Sequence, residues 1–396
     1  MGGGGEEEAS GGAEGGAIDL QGHAAVRYPA LSFRPKHYSQ FLPVVTDIAF
    51  HEPSRKLLLA CKRQSGGIGI GQLTPKTQTP TESCPSWILE DETSLRFSSL
   101  KFNPIPAPAS VIHALQPAPR NSRLTCIAGT DKGILQLQQD TLTWTTPPPP
   151  SRARFRSLHH HRQNNNSNNN NNKDRTQAHD RLPWQTDILA VDFLSPDTIL
   201  AGTRSGHVCV LDLRAPPREW SVGAHTFRHT SSAAHVRAVR APGAGAGAGT
   251  EAGTPHEVLA AGPRNAMAVY DLRFLQQPQQ QPGEEGRRGG KNKNATRPVV
   301  EFHAYRNEAH IQIGLDVWPE AGYGSSRGVV AAAHDDQTVG LYSLRDGLRL
   351  EGAGAVGGIR APAVVRRLMW AALPGDRHPS LFVGEGNGVG KYSFWA

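Results

Sequence analysis

Residues 200–214 decide the fold, because their sequence, LAGTRSGHVCVLDLR, is a pattern that recurs along the chain. A run of small residues leads into a tight polar turn, and an alternating apolar segment then ends in an Asp and an Arg. Small and β-branched residues bounded by turn residues favour strands, so the pattern predicts two antiparallel strands joined by a turn. Five further copies, the last of them the weakest, begin at Ala260, Ala332, Phe382, Cys126 and Leu57.

One more apolar strand precedes each of these pairs. The six additional strands are predicted at residues 45–50, 110–115, 188–193, 236–240, 313–317 and 365–370. No stretch has the apolar periodicity of a convincing amphipathic helix. Three or four strands per unit, repeated along one chain, predict an all-β fold of the β-propeller class.

Four stretches lack the branched and aromatic side chains whose burial offsets the entropy cost of ordering. They cover residues 1–16, 146–178, 241–256 and 276–298. We therefore expect a disordered tail over 1–16 and a propeller over 17–396 that carries three low-complexity inserts. The remaining sequence gives about 44 residues for each of seven blades, a typical size for such units. Seven blades are predicted, with 17–42 and 82–103 supplying the strands that the six repeats leave out.

The net charge of +7 arises from 42 Lys and Arg residues against 35 Asp and Glu residues. The excess is concentrated in two loops: residues 151–182 carry seven basic and two acidic side chains, and residues 276–298 carry five and two. Basic loops can bind nucleic acid through its phosphates. Solvated loops that confer solubility are the favoured interpretation, because the charge does not form one patterned face.

Cysteine usage and hydropathy indicate the compartment. The four cysteines lie far apart without a CxxC pair, which argues against a disulfide scaffold or a zinc ribbon and for a reducing environment. No apolar run approaches the roughly 18 residues of a membrane helix, and the first residues lack the regions of a signal peptide. We therefore expect a protein of the nucleus, the cytoplasm or both.

Several stretches imitate catalytic or ligand-binding motifs. The glycine runs at 66–71 and 384–390 resemble phosphate loops, but each is predicted to continue into a strand rather than a helix. The histidine run at 159–161 lies in a basic loop without nearby Cys or carboxylate ligands, and Asp335 and Asp336 fall in a predicted turn. The sequence therefore predicts no enzyme, no metal site and no cofactor.

Two consecutive units end in the same tetrapeptide type, Leu211-Asp-Leu-Arg214 and Tyr270-Asp-Leu-Arg273. Equivalent positions in adjacent blades lie on the same face, so the two arginines are predicted to lie together at exposed turns. Two interpretations are open on spacing alone: the arginines form a docking edge, which suits their rigid donor fork, or the aspartates only cap the turns and the arginines are solvated.

The units resemble WD repeats, with Asp131-Lys-Gly133, Ser205-Gly206 and Asp335-Asp-Gln337 at the Asp-Gly turn, and His225 and His235 where the family often has Gly-His. The chain departs from this family where Trp usually ends the repeat, since it has Leu211, Tyr270, Tyr342 and Tyr392 there. Over residues 185–396 it resembles the WD-repeat protein 21 family, the DDB-and-cullin-associated factor four group. The stretches that carry this resemblance are 202–214, 307–308, 330–350 and 381–394.

The resemblance implies a function for the repeated Asp-x-Arg. WD-repeat substrate receptors of cullin-4 RING ubiquitin ligases carry W-D-x-R at this position, and its Arg contacts the adaptor, DNA damage-binding protein 1. By this resemblance Asp212, Arg214, Asp271 and Arg273 are the expected adaptor-binding residues. The chain is then a substrate receptor, monomeric outside its complex. A general WD-repeat scaffold without a ligase is the alternative.

Overall fold

The fold is seen in a computed structural model that describes thirteen stretches of the chain. These stretches are residues 23–28, 44–62, 68–75, 97–105, 109–146, 187–215, 226–239, 255–275, 296–318, 328–350, 359–372, 379–385 and 388–393. Their regular structure is almost entirely β, and the helical segments described are two single-turn 3-10 helices, Glu52–Ser54 and Leu272–Phe274. The strands form six separate antiparallel sheets.

Strand β1 (His23–Tyr28) is the first in the chain but belongs to the last sheet. The next three sheets follow the chain and are called blades 1 to 3. Blade 1 contains β2 (Val44–His51), β3 (Lys56–Lys62), β4 (Ile68–Pro75) and β5 (Phe97–Pro104). Blade 2 contains β6 (Ile112–Pro117), β7 (Cys126–Thr130), β8 (Gly133–Gln138) and β9 (Thr141–Trp144). Blade 3 contains β10 (Ile188–Ser195), β11 (Thr198–Thr203), β12 (His207–Asp212) and β13 (Thr226–Arg228).

Blades 4 to 6 complete the set. Blade 4 contains β14 (His235–Val239), β15 (Glu257–Gly262), β16 (Ala266–Asp271) and β17 (Val300–Glu301). Blade 5 contains β18 (Leu315–Trp318), β19 (Val329–Ala333) and β20 (Val339–Ser343). Blade 6 contains β21 (Leu368–Ala371), β22 (Ser380–Glu385) and β23 (Gly388–Ser393), and β1 pairs with β23 as its outermost strand. The first and last parts of the chain therefore share one blade.

The arrangement is a β-propeller, which confirms the predicted fold class. The first strands of consecutive blades contact one another, so they lie innermost, and each later strand lies further out. All six strand pairs recognised as repeats form the second and third strands of a blade, and all six additional strands are the innermost ones. The sequence pattern therefore located every blade that the structure describes.

The prediction of seven blades is wrong for the described chain, which has six. The residues assigned to a seventh unit contain the outermost strands of two blades: β1 completes blade 6 and β5 completes blade 1. The division by about 44 residues failed because it assumed blades of uniform length. Outer strands such as β5 and β17 instead follow their neighbours β4 and β16 at a long distance in sequence.

The tail and the inserts predicted from composition lie almost wholly outside the described residues. This applies to all of 1–16, to 147–178, to 241–254 and to 276–295. Thr146, counted with the second stretch, is instead part of blade 2: it is buried, and its hydroxyl accepts a hydrogen bond from the Ile134 N–H at 3.1 Å. No helix of the described residues is long and apolar enough to cross a membrane.

The hydrophobic core lies between the blades. Five clusters of buried side chains each join two consecutive blades, from blades 1 and 2 through to blades 5 and 6. The buried residues are mainly Ala, Val, Leu and Ile from the second and third strands, with faces that alternate along each strand. Stacked sheets bury both faces in this way, so the central strands read as near-continuous apolar runs.

Three aspartates on the innermost strands add polar contacts between blades, and we call them the inner-strand aspartates. Each accepts a backbone hydrogen bond from the innermost strand of the next blade. Asp47 accepts from Leu115 at 2.9 Å, Asp192 from Ala238 at 2.9 Å, and Asp316 from Trp370 at 2.8 Å. These contacts therefore join blades 1 and 2, blades 3 and 4, and blades 5 and 6.

Arginines of blades 6 and 4 add charged contacts at two further junctions between blades. Arg367 binds Asp47 with a nitrogen-to-oxygen distance of 2.6 Å, which joins blade 6 to blade 1. Arg237 lies 3.9 Å from the Asp316 carboxylate and joins blade 4 to blade 5. Burial raises the pKa of both Asp47 and Asp316, and the neighbouring arginines oppose that shift. Blade 6 is therefore joined to blade 1 by a charged contact.

Two buried tyrosines form hydrogen bonds with buried histidines. The Tyr270 hydroxyl lies 3.0 Å from His229 Nδ1, and both side chains are buried. The Tyr342 hydroxyl lies 2.6 Å from His334 Nε2 and donates to the Ala304 carbonyl at 3.1 Å. Of the two histidines matched to the Gly-His of WD repeats, His235 lies within β14 and His225 is outside the described residues.

Candidate protein-docking site

The two Asp-x-Arg motifs occupy equivalent places in neighbouring blades. Asp212 ends β12 and Asp271 ends β16, the third strands of blades 3 and 4. The residue after each aspartate donates its backbone N–H to the turn between the first two strands, Leu213 to Asp197 at 2.8 Å and Leu272 to His256 at 2.7 Å. Both Asp-x-Arg turns therefore lie at one end of the propeller, as the sequence predicted, and we call this the motif end.

In each turn the aspartate binds the arginine two residues ahead. The Asp271 carboxylate accepts from the Arg273 backbone N–H at 2.9 Å, from Nε at 3.0 Å and from Nη2 at 2.6 Å. Asp212 makes the same three contacts with Arg214, at 2.9, 3.0 and 2.7 Å. Each carboxylate therefore caps its turn and orients the guanidinium at once, while docking through the two arginines stays a prediction.

These contacts fix the charge of the site. Hydrogen bonding from the arginine side chain lowers the pKa of Asp212 and of Asp271 below the ordinary aspartate value. The same contacts raise the pKa of Arg214 and of Arg273. Each turn thus presents a permanently charged guanidinium of fixed orientation, and none of the hydrogen bonds to aspartate uses Nη1.

The two turns differ in burial. The Asp271 side chain is 5% exposed and the Asp212 side chain 39%, although both arginines are largely exposed. After Arg273 comes Phe274, which is 68% exposed, and the guanidinium carbon lies 5.6 Å from the centre of its ring. In blade 3 the residue after Arg214 is Ala215, which packs against the core between blades 2 and 3.

Blade 5 provides a third turn with a different composition. Ser343 stands where the other two blades have Asp, and its hydroxyl accepts the Arg345 backbone N–H at 3.2 Å. A serine caps the turn in the same way but has no carboxylate to bind the guanidinium of Arg345. The repeated Asp therefore distinguishes the turns of blades 3 and 4 from that of blade 5.

The motifs that imitated other chemistry fall in structural positions. Gly384 and Gly388 lie in the paired strands β22 and β23, and the run at 66–71 continues into β4. Asp335 accepts the Glu308 backbone N–H at 2.6 Å, and Asp336 accepts the Thr338 backbone N–H at 3.1 Å. The histidine run at 159–161 is outside the described residues. Over the described stretches, no three His, Cys, Asp or Glu side chains are grouped as metal ligands.

Sequence reasoning missed two features of the site and its surroundings. Phe274 follows Arg273 directly, and an aromatic side chain beside an exposed arginine is a signal that the sequence did offer. His229 was also missed, because it lies in none of the motifs that the sequence analysis used. Its contact with Tyr270 depends on packing rather than on a local motif.

No protein-family model matches the chain, and no curated protein matches it. Among solved structures it is similar to the WD40 β-propeller domain of Doa1, with 9% sequence identity, a TM-score of 0.47, and coverage of 87% of this chain and 77% of that chain. It is also similar to the computationally designed Ika4 protein, with 12% identity, a TM-score of 0.33, and coverage of 54% and 93%. At these values the fold assignment rests on the six sheets themselves.

Proposed function

We propose that this chain is a substrate receptor of a cullin-4 RING ubiquitin ligase. In this proposal it binds the adaptor, DNA damage-binding protein 1, through the motif end and presents a target protein for ubiquitylation. The supporting observation is the pair of Asp-x-Arg turns, which repeat one hydrogen-bonded geometry in two neighbouring blades. The chain acts by binding alone, without catalysis or a cofactor.

The chemistry of the turns suits a protein interface. Arginine presents a rigid planar fork of donors, and central interface positions are enriched in arginine. Because each aspartate already fixes one edge of the guanidinium, the side chain loses little conformational entropy when a partner binds the other edge. Two such groups on adjacent blades give a partner two fixed donors at one end of the propeller.

The resemblance to WD-repeat substrate receptors supports the adaptor as the partner. In those receptors the Arg of W-D-x-R contacts DNA damage-binding protein 1, and Arg214 and Arg273 stand at the matching positions. The replacement of Trp by Leu211 is compatible with this assignment. Leu211 is buried between blades 2 and 3, and the contacts of the following Asp212–Arg214 pair equal those of Asp271–Arg273 in kind and length.

Affinity purification of the full chain from cells tests the proposal. The expected result is recovery of DNA damage-binding protein 1 and cullin-4 with the wild-type chain, and their loss with the Arg214→Ala/Arg273→Ala double variant. Recovery of a stable complex that lacks both the adaptor and the cullin would contradict the proposal and favour a general WD-repeat scaffold.

A further inference from the structure

We propose that Phe274 and Arg273 together form the principal anchor of the motif end, in which the phenyl ring enters an apolar pocket of the partner and the guanidinium binds acceptors at the rim of that pocket. The inference rests on the proposed function, because the partner it describes is the adaptor. It goes beyond that function by assigning a contact residue outside the Asp-x-Arg motif and by ranking the two turns.

The first observation is the way the turn of blade 4 is built. Leu272–Phe274 form a single 3-10 turn with no buried residue, and Asp271 caps it by accepting the Arg273 N–H. On either side of the exposed pair, Leu272 and Leu275 pack against the core between blades 3 and 4. The turn is therefore attached to the core at both ends while Arg273 and Phe274 point outward.

The second observation is the contact between the two exposed side chains. The guanidinium carbon of Arg273 lies 5.6 Å from the centre of the Phe274 ring, within the range of a cation–π interaction. Hydrogen bonds to the buried Asp271 from Nε at 3.0 Å and from Nη2 at 2.6 Å orient the same guanidinium. The ring and the guanidinium thus form one surface whose arrangement exists before a partner binds, and preorganised contacts bind with a smaller entropy cost.

The third observation is that blade 3 lacks this combination. Arg214 is followed by Ala215, which packs on the core, and its partner Asp212 is far more exposed than Asp271. Interface energy is concentrated in a few aromatic and arginine residues that fill well-packed pockets. The blade 4 turn therefore supplies the main contact, and the blade 3 turn supplies a second charged contact that sets orientation.

The chemistry of the pair defines what the adaptor must offer. A phenyl ring that is 68% exposed in the free chain gains free energy only in a dehydrated apolar pocket. The arginine Nη1, which Asp271 does not use, requires a carboxylate or a backbone carbonyl beside that pocket. We infer an apolar cavity with acceptor oxygens on one side as the binding surface of the adaptor.

The experiment measures the affinity of purified full-length chain for purified DNA damage-binding protein 1 by biolayer interferometry. Variants Phe274→Ala and Phe274→Tyr are compared with Leu348→Ala, since Leu348 is 65% exposed and lies next to the blade 5 turn, in which Ser343 replaces the Asp of the motif. We expect Phe274→Ala to weaken binding at least tenfold, Phe274→Tyr to retain most of it, and Leu348→Ala to change it less than twofold. All three melting temperatures should match the wild type.

The outcomes separate this inference from the proposed function. Wild-type affinity in Phe274→Ala, together with loss of binding in the Arg214→Ala/Arg273→Ala variant, would overturn the anchor and leave the receptor assignment intact. Equal weakening by Phe274→Ala and Leu348→Ala would also overturn the anchor, because it would show a general apolar contribution. Absence of any adaptor binding by the wild-type chain would overturn both.

Discussion

Two sets of aspartates in this propeller use the same functional group, a carboxylate, for different interactions. The inner-strand aspartates accept backbone hydrogen bonds from the next blade, as Asp192 does from Ala238 at 2.9 Å. The aspartates of the Asp-x-Arg turns bind an arginine two residues ahead in the same blade, as Asp212 does with Arg214. The first set joins blades, and the second set presents an exposed guanidinium.

The difference teaches that the hydrogen-bond partner, more than residue type or burial, separates residues of the fold from residues of the site, because Asp271 of the second set is as buried as Asp192 of the first. A buried carboxylate that accepts a backbone N–H of another blade cannot be removed without leaving that donor unpaired. An ion pair at an exposed turn contributes little to stability, because solvent screens it. We therefore expect substitution of the inner-strand aspartates to lower the free energy of unfolding, and substitution of the arginines at the motif end to weaken binding.

Acidification should produce the largest effect on the interior. Burial lowers the pKa of His229 and of His334 to about 4 and that of His235 to about 3, so all three are neutral in the fold. In the unfolded chain they take up protons below the ordinary value of 6.5. Stability from these groups is complete above that value and is lost as the pH falls towards 4.

Urea unfolding at pH 7.5 and at pH 5 measures this loss. Each histidine should lower the free energy of unfolding by about 2 kcal/mol over this interval. In the matched variant His334→Asn, the free energy of unfolding should fall less between pH 7.5 and pH 5 than in the wild type. Asp47 and Asp316 contribute in the opposite direction, because their raised pKa values favour the fold at lower pH. The variant keeps both aspartates, so the comparison isolates the contribution of the histidine. An equal decrease in the free energy of unfolding for the variant and the wild type would contradict the assignment of this pH dependence to His334.

Removal of an inner-strand carboxylate is the next largest effect. Asp192 is buried and accepts from the Phe193 N–H at 2.8 Å as well as from Ala238. Asp192→Ala leaves both donors without the carboxylate and should cost about 2–3 kcal/mol in urea unfolding. The control Asp212→Ala, at an exposed turn, should cost less than about 1 kcal/mol. Equal costs would remove the distinction between the two sets of aspartates.

A smaller effect is expected from removing the hydroxyls of the buried Tyr270 and Tyr342. Tyr342→Phe removes a hydroxyl with two partners, His334 and the Ala304 carbonyl, and should cost about 1–2 kcal/mol. The hydroxyl of Tyr270 has a hydrogen bond to His229, so Tyr270→Phe should cost about 1 kcal/mol. Thermal melts of both variants test this order, and a larger loss in Tyr270→Phe would reverse it.

Much of the fold was predictable because propeller blades repeat local patterns. The alternation in residues 200–214 and its copies indicated the second and third strands, and short Val- and Ile-rich runs indicated the innermost ones. The blade count was not predictable from length, since outer strands such as β1 and β17 are distant in sequence from the strands they pair with. Strand pairing of this kind depends on closure of the whole ring.

The candidate site was predictable in position but not in geometry. Identical spacing in two repeats placed Asp212 and Asp271 at one end of the propeller, and the structure agrees. The role of Asp192 was not predictable, because its partner Ala238 lies in another blade and depends on how the blades pack. The exposure of Phe274 likewise follows from the 3-10 turn after Asp271 rather than from hydropathy.

The affinity of the purified Arg214→Ala/Arg273→Ala variant for DNA damage-binding protein 1, measured beside its melting temperature, tests the central claim most directly. Loss of central interface arginines should weaken binding by 2 kcal/mol or more, roughly thirtyfold, while the melting temperature stays at the wild-type value because both side chains are exposed. Arg345→Ala, from the turn with Ser343, should bind within about twofold of wild type. Undiminished binding by the folded double variant would contradict the account.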